Sequence, residues 1–237
     1  MMKPIASRIA IAVITATVLM VSSIAPSMMM VYGATNCTAT YGDDCYAVGM
    51  YDFRVQSLGA GVKQKVPYPS NTVGYMVSPL WVILGNGRLL EIGCWIASAS
   101  YTPKWYWALD GIIQKRWCTN NTCPSNNSTW LFTMHDGNAD QVWILRVGTD
   151  TITTGRLGST LATKTEAGYE IGYYDTNPGI NEYKEFMYYK PNTGWVYISS
   201  GAASQGYYIN PVNGYTLDYC NAYNHFMVAK GGGRNLC

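Results

Sequence analysis

The chain has 237 residues, only 13% of them charged, with 16 basic against 14 acidic side chains, and it carries 20 Tyr, 8 Trp and 24 Gly. A charge so nearly balanced leaves no basic footprint for nucleic acid or for an anionic membrane surface. With so few charges the surface must be covered by Tyr, Thr, Asn and Ser, the composition of an exported β-protein rather than of a cytosolic enzyme.

The first 33 residues read as a targeting segment. Lys3 and Arg8 precede an uncharged apolar run over 9–25, which continues through three methionines to Tyr32, and Val31 and Gly33 satisfy the small-residue rule for cleavage after Gly33, with Ser27 as a second option. The run also has the roughly 20 apolar residues that an uncleaved anchor needs, so contact with a membrane is expected only if this segment is retained. Residues 34–237 are then a single domain, outside the cell or at its surface. All seven cysteines lie in it, where export permits disulfides. Local pairing is expected: Cys37 with Cys45, Cys118 with Cys123, and Cys220 with Cys237. Cys94 is left over as a buried free thiol.

Short strands follow one another along this domain. Residues 47–55 are strand-like; 59–65 and the prolines Pro67 and Pro69 break the run. The stretch WVILGNGRLLEIGCW over 81–95 reads as a hairpin, with Gly85-Asn86-Gly87 supplying the positive-φ residues of the turn. Side chains alternate along a strand, so Leu89, Glu91, Gly93 and Trp95 share one face, while Leu90, Ile92, Cys94 and Ile96 form a core face. Residues 102–108 are a further strand in which Trp105 and Trp107 share a face. The loop over 118–129 holds N-x-S/T acceptors at Asn120, Asn126 and Asn127, and Asn36 is another; these mark surface. Strands are also expected over 130–133, 141–147, 169–174, 185–189, 195–199, 206–209 and 226–229, separated by Gly, Pro and Asn. No later segment keeps a helical period over three turns. The pattern predicts an all-β, two-layer antiparallel sandwich or jelly roll.

Two glutamates stand out. Glu91 and Glu170 each lie on a strand with a glycine on the same face, Gly93 and Gly172, followed by an aromatic, Trp95 and Tyr174. Glycine beside an acid on a sheet leaves room for close approach. Two carboxyls facing one cleft split their pKa values and supply an acid and a base. The alternative is that both are solvated strand residues.

The run VSPLWVILGNGRLLEIGCW, then YTPKWYWALD, DGNADQVWILRV and TEAGYEIGYYD, resembles the order of blocks in the eqolisin glutamic peptidases and the neprosin-type enzymes related to them. The resemblance spans about residues 75–175. It implies a concanavalin-like sandwich that hydrolyses peptide bonds with a Glu paired with Gln or a second Glu. Glu91 falls where eqolisins have glutamine, Glu170 near the second catalytic position, and Trp105 and Trp107 near an aromatic cleft wall. The aromatic block here reads Trp107-Ala108-Leu109-Asp110, without the acid that the family places beside its tryptophans. The catalytic expectation is therefore Glu91 and Glu170, with Trp95, Trp105, Trp107 and Tyr174 binding a polypeptide. A glycan bound on the same aromatic residues is the competing reading.

No cofactor or metal is expected. His135 and His225 are the only histidines, and neither follows a nucleophile elbow. Asp136, Asn138 and Asp140 could offer oxygens to calcium but read more simply as a turn. Gly231-Gly232-Gly233 has no helix behind it and is no phosphate loop.

Overall fold

Alternating apolar and polar residues over short runs produce strands, and in the computed structural model the described residues form strands and turns with no helix. The structure describes residues 45–66, 75–96, 103–116, 123, 127–138, 140–172, 176–210, 214–231 and 235–237. The leading segment, Cys37, Cys118 and Tyr174 lie outside the described residues.

In chain order the strands are β1 (Cys45–Ser57), β2 (Gly59–Lys65), β3 (Met76–Leu84), β4 (Leu89–Ile96), β5 (Lys104–Leu109), β6 (Ile112–Arg116), β7 (Ser128–His135) and β8 (Val142–Val147). They continue with β9 (Asp150–Arg156), β10 (Ala162–Ile171), β11 (Ile180–Lys190), β12 (Gly194–Tyr197), β13 (Ala203–Asn210), β14 (Tyr215–Asn221) and β15 (His225–Lys230). One sheet has the order β13-β1-β10-β3-β4-β5-β6; the other has the order β14-β15-β11-β2-β7-β8-β9, with β12 on β11. All the pairings are antiparallel, and the two sheets pack as a β-sandwich.

The core lies between the sheets. Leu90, Ile92, Cys94 and Ile96 of β4 are all buried there, as their two-residue spacing predicts, among Tyr51, Tyr169, Trp143, Phe186 and Phe226. Tyr183 crosses the core from β11. Its hydroxyl donates to the Gly168 carbonyl on β10 and shares a 2.7 Å hydrogen bond with Ser78 on β3. One buried phenol thus ties two neighbouring strands of the opposite sheet from behind.

The Gly85-Asn86-Gly87 turn forms as expected, with Gly87 at φ 85° and Leu84 N–H donating to the Arg88 carbonyl at 2.8 Å. Asp110 and Gly111 make a second tight turn, at φ 52° and 77°. The Asp110 carboxylate accepts from Arg88 Nε at 3.0 Å, from Arg88 Nη2 at 2.8 Å and from Leu89 N–H at 2.9 Å. The tips of the two hairpins are locked together in this way.

Two expectations are corrected. Residues 59–65 do not break the chain but form β2, an interior strand of the second sheet. Its glycines suit that place because a Cβ at Gly61 would collide with the Phe132 ring, and one at Gly59 with the backbone of Thr133 and Met134. The second correction concerns the cysteines: Cys123 pairs with Cys94, not with Cys118, and Cys94 is not free. The ladder decides this. Cys94 pairs with Trp105 on β5, and Cys123 N–H donates to the Pro103 carbonyl just before that strand, so the two Cα atoms stand 5.9 Å apart. Cys220–Cys237 forms as expected, and Cys45 is also in a disulfide.

Because Cys94 and Cys123 are 29 residues apart, their bond should stabilise the fold by about 3–4 kcal/mol on the loop-entropy model. A Cys94→Ala/Cys123→Ala variant should lose that amount in urea titration. Peptide mapping without reduction should recover Cys94 joined to Cys123; a free Cys94 would contradict the pairing.

Candidate active site

Residues paired across strands share a face, so the register shows what lies beside each glutamate. Glu166, Trp81, Glu91 and Ala108 form one row across β10, β3, β4 and β5. Pro79, Gly93 and Tyr106 form the next row, and Glu170, Val77, Trp95 and Lys104 the one beyond it. These rows occupy the face of the first sheet that points away from the second, and Glu91 and Glu170 both stand on it.

Glu91 is buried with 7% of its surface exposed, although it points away from the core. Trp81 from β3 and Tyr106 from β5 grip its carboxyl from either side, Tyr106 donating its hydroxyl to Oε1 and Trp81 donating through its indole. Burial raises the carboxyl from the ordinary 4.5 to about 7, against the lowering effect of these two hydrogen bonds. Burial, and then the Glu91 charge, also hold the Tyr106 phenol well above its ordinary value, with Glu170 and Tyr75 adding to the effect. Tyr106 therefore stays a donor, and it stands in the electrostatic field of both glutamates. Glu170 is only half-buried, and Tyr75 donates its hydroxyl to its Oε1.

The aromatic residues divide. Trp95 is half-buried on the glutamate face and packs against the cluster of Val77, Tyr106 and Ala108, as Tyr75 does. Trp105 and Trp107 are corrected from the expected cleft wall. They pair with Cys94 and Ile92 and so face the inter-sheet core, where Trp105 is buried and Trp107 packs against the same cluster. The side chain that reaches the site from β5 is Tyr106, which lies between them in sequence.

Sequence reasoning passed over Tyr106, Tyr75, Trp81 and Glu166. Glu166 was within reach of it, since it is two residues from Gly168 and four from Glu170 on one strand and so shares their face. It is 3% exposed and pairs with Lys164 at 2.9 Å; Lys164 Nζ is also 3.8 Å from Asp52.

His135, Asp136 and Asp140 place one ligand-type atom each within 4.8 Å of one another. The hydrogen bonds argue against a metal there. His135 Nδ1 accepts the Gly137 N–H at 3.1 Å, which leaves the proton of the neutral ring on Nε2. Asp136 accepts from Asn138 N–H at 2.9 Å and from Asn138 Nδ2 at 2.8 Å, and Asp140 from Val142 N–H at 3.1 Å. This is the chemistry of a turn.

No protein-family model matches the chain, and no curated protein matches it in sequence. Solved structures do match in fold. Scytalido-glutamic peptidase with a transition-state analogue inhibitor superposes with a TM-score of 0.54 at 10% identity, over 79% of this chain and 98% of that one. The same peptidase with a peptide-based transition-state analogue gives 0.53 at 8% identity over the same shares. SCP-B, a member of the eqolisin family of peptidases, in complex with the tripeptide Ala-Ile-His, gives 0.52 at 10% over the same shares. The chain thus has an eqolisin-like fold, the class of sandwich that its sequence blocks resemble.

The sign of the Glu91 effect on stability follows from its raised carboxyl. The folded state holds the proton more tightly than the unfolded one, so the contribution is complete below about 4.5 and is lost as pH rises through about 7. That difference amounts to about 3 kcal/mol. Denaturant titrations of Glu91→Gln and of the unaltered chain should therefore diverge by about 3 kcal/mol between roughly pH 4 and pH 8, in favour of the variant at the higher pH. Parallel curves would place Glu91 in water.

Proposed function

We propose that the chain is an exported, glutamic-peptidase-like hydrolase that cleaves polypeptides in acid, with Glu91 and Glu170 as its two working carboxyls. The observation that carries this reading is that both stand on one face of an eqolisin-like sheet, each accepting a tyrosine hydroxyl there, Glu91 from Tyr106 and Glu170 from Tyr75. Disulfides at Cys94–Cys123 and Cys220–Cys237 are compatible with an extracellular site of action. Among the described residues no helix is long and apolar enough to cross a membrane.

The two environments divide the work. Glu91, buried and neutral below about 7, hydrogen-bonds the scissile carbonyl and stabilises the oxyanion that develops on it. A neutral carboxyl there offers the same kind of donor as the glutamine that eqolisins carry at this position. Glu170, nearer to water, takes a proton from the attacking water and returns it to the leaving amine. Trp95 lines the site beside them and holds a substrate side chain. The competing glycan reading drew on Trp95, Trp105, Trp107 and the tyrosines as stacking platforms; Trp105 and Trp107 lie in the core, which leaves it Trp95 and tyrosines alone.

Digestion of denatured serum albumin is the test. Cleavage is expected at about pH 3–5, the range in which ordinary carboxyls titrate, and is expected to fall as pH rises through about 7 and Glu91 ionises. Glu170→Gln should abolish it, whereas Glu91→Gln should retain part of it because the amide keeps a donor. Equal cleavage by the unaltered chain and Glu170→Gln would end the proposal.

A further inference from the structure

Both glutamates sit in the same tripeptide, Glu91-Ile92-Gly93 and Glu170-Ile171-Gly172, and each meets a tyrosine in the same relative place. Glu91 pairs with Ala108 and Glu170 with Val77. In each case the tyrosine stands two residues earlier in the chain than that partner: Tyr106 on β5, and Tyr75 just before β3. Each also begins opposite the glycine: Tyr106 pairs with Gly93, and Gly172 N–H donates to the Tyr75 carbonyl at 3.0 Å. A Cβ at Gly172 would collide with the Tyr75 ring, and one at Gly93 with the backbone of Ser78 and Pro79. From that start the ring reaches diagonally to the glutamate, a distance that aromatic side chains span across an antiparallel pair.

We infer that Tyr106 and Tyr75 are positioning residues, each orienting one carboxyl of the pair by donating its hydroxyl to Oε1 of Glu91 or Glu170. The inference rests on the peptidase reading of those glutamates. With Oε1 of Glu91 accepting from Tyr106, that oxygen takes the carbonyl role, and the proton of the neutral acid sits on Oε2, ready to donate to an oxyanion. Tyr106 keeps its own proton throughout, because burial and the neighbouring carboxyls oppose its ionisation. The groups that face Glu91 are the Trp81 indole from β3, the Tyr106 hydroxyl from β5 and, through Tyr106, Glu170. Beyond Trp81 in the same row stands the Glu166–Lys164 pair on β10. Glu170 has Tyr46 beside it on β1 and Tyr75 on the β3 side.

The test is a carboxyl-carbon NMR titration of the full chain labelled at its five glutamates, with Glu91→Gln and Glu170→Gln assigning the two resonances. Tyr106→Phe should raise the Glu91 midpoint and leave that of Glu170 in place, since the lost bond favours the ionised form. Tyr75→Phe should raise the Glu170 midpoint and leave that of Glu91 unchanged. In the digestion assay each variant should lose roughly ten- to a hundredfold in kcat with little change in KM, the scale on which a misplaced reacting group lowers a rate. Unmoved midpoints in folded variants, or both midpoints moving alike in either variant, would overturn the assignment. Should Tyr106→Phe fail to fold, the half-buried Tyr75 carries the same test. If the unaltered chain does not cleave albumin, the peptidase reading fails while the titration still decides whether the tyrosines orient the carboxyls.

Discussion

Holding a carboxyl out of water is the costliest demand that this face of the sheet meets, and the strands around Glu91 are arranged to satisfy it. An ionised carboxylate buried without partners would shift its pKa and neutralise instead. Glu91 does part of this, and its two hydrogen-bond donors limit the shift to about 7. Those donors have to come from neighbouring strands, because the alternation of β4 turns its adjacent residues to the core. Hence the site depends on the register of three strands at once: β3 brings Trp81, β4 brings Glu91, and β5 brings Tyr106.

That register is secured from the core side. Tyr183 hydrogen-bonds the Gly168 carbonyl and Ser78, one on the strand of Glu170 and the other on the strand that carries Trp81. Gly168 lies so close to the backbone of Ala47 and Val48 that a Cβ there would collide with it, so β1 and β10 approach closely at the same level. On the far edge, the Arg88–Asp110 pair and the bond from Leu89 N–H to Asp110 join the β3–β4 turn to the β5–β6 turn. The exposed pair contributes little by itself. Its geometric effect is to keep β5 from sliding, and a slip of one residue would exchange Tyr106 for a tryptophan.

The parity of each strand was legible in the sequence, but the partner was not. Two-residue spacing placed Leu90, Ile92, Cys94 and Ile96 inside and Glu91 outside, and it exposed the glycine that shares a face with each glutamate, Gly93 and Gly172. Nothing in the β5 sequence KWYWAL says which of its faces continues the Glu91 face, because both are aromatic. The family resemblance put the pair of tryptophans at a cleft wall, yet the register puts the single tyrosine between them on the glutamate face. The same limit applies to cysteine pairing. Cys123 is close to Cys118 in sequence, but Cys94 lies across the ladder from the β5 entry, and contact across a sheet does not follow spacing along the chain. Glycine-rich β2 was misread for a related reason: its glycines look like breaks until Phe132 and Met134 on the neighbouring strand account for the space.

The same clamp in two settings gives the pair its asymmetry. Glu91 and Glu170 share a tripeptide, a tyrosine and a glycine, so local geometry alone would make them equivalent. What differs is what lies around them: Glu91 lies under Trp81 and Tyr106 and is buried, whereas Glu170, next to the last residue of β10, remains half-buried. Desolvation favours the neutral form of an acid, so the buried copy is the one suited to donate and the wetter copy the one suited to accept. On the proposed reading, different surroundings acting on an identical motif separate the acid from the base.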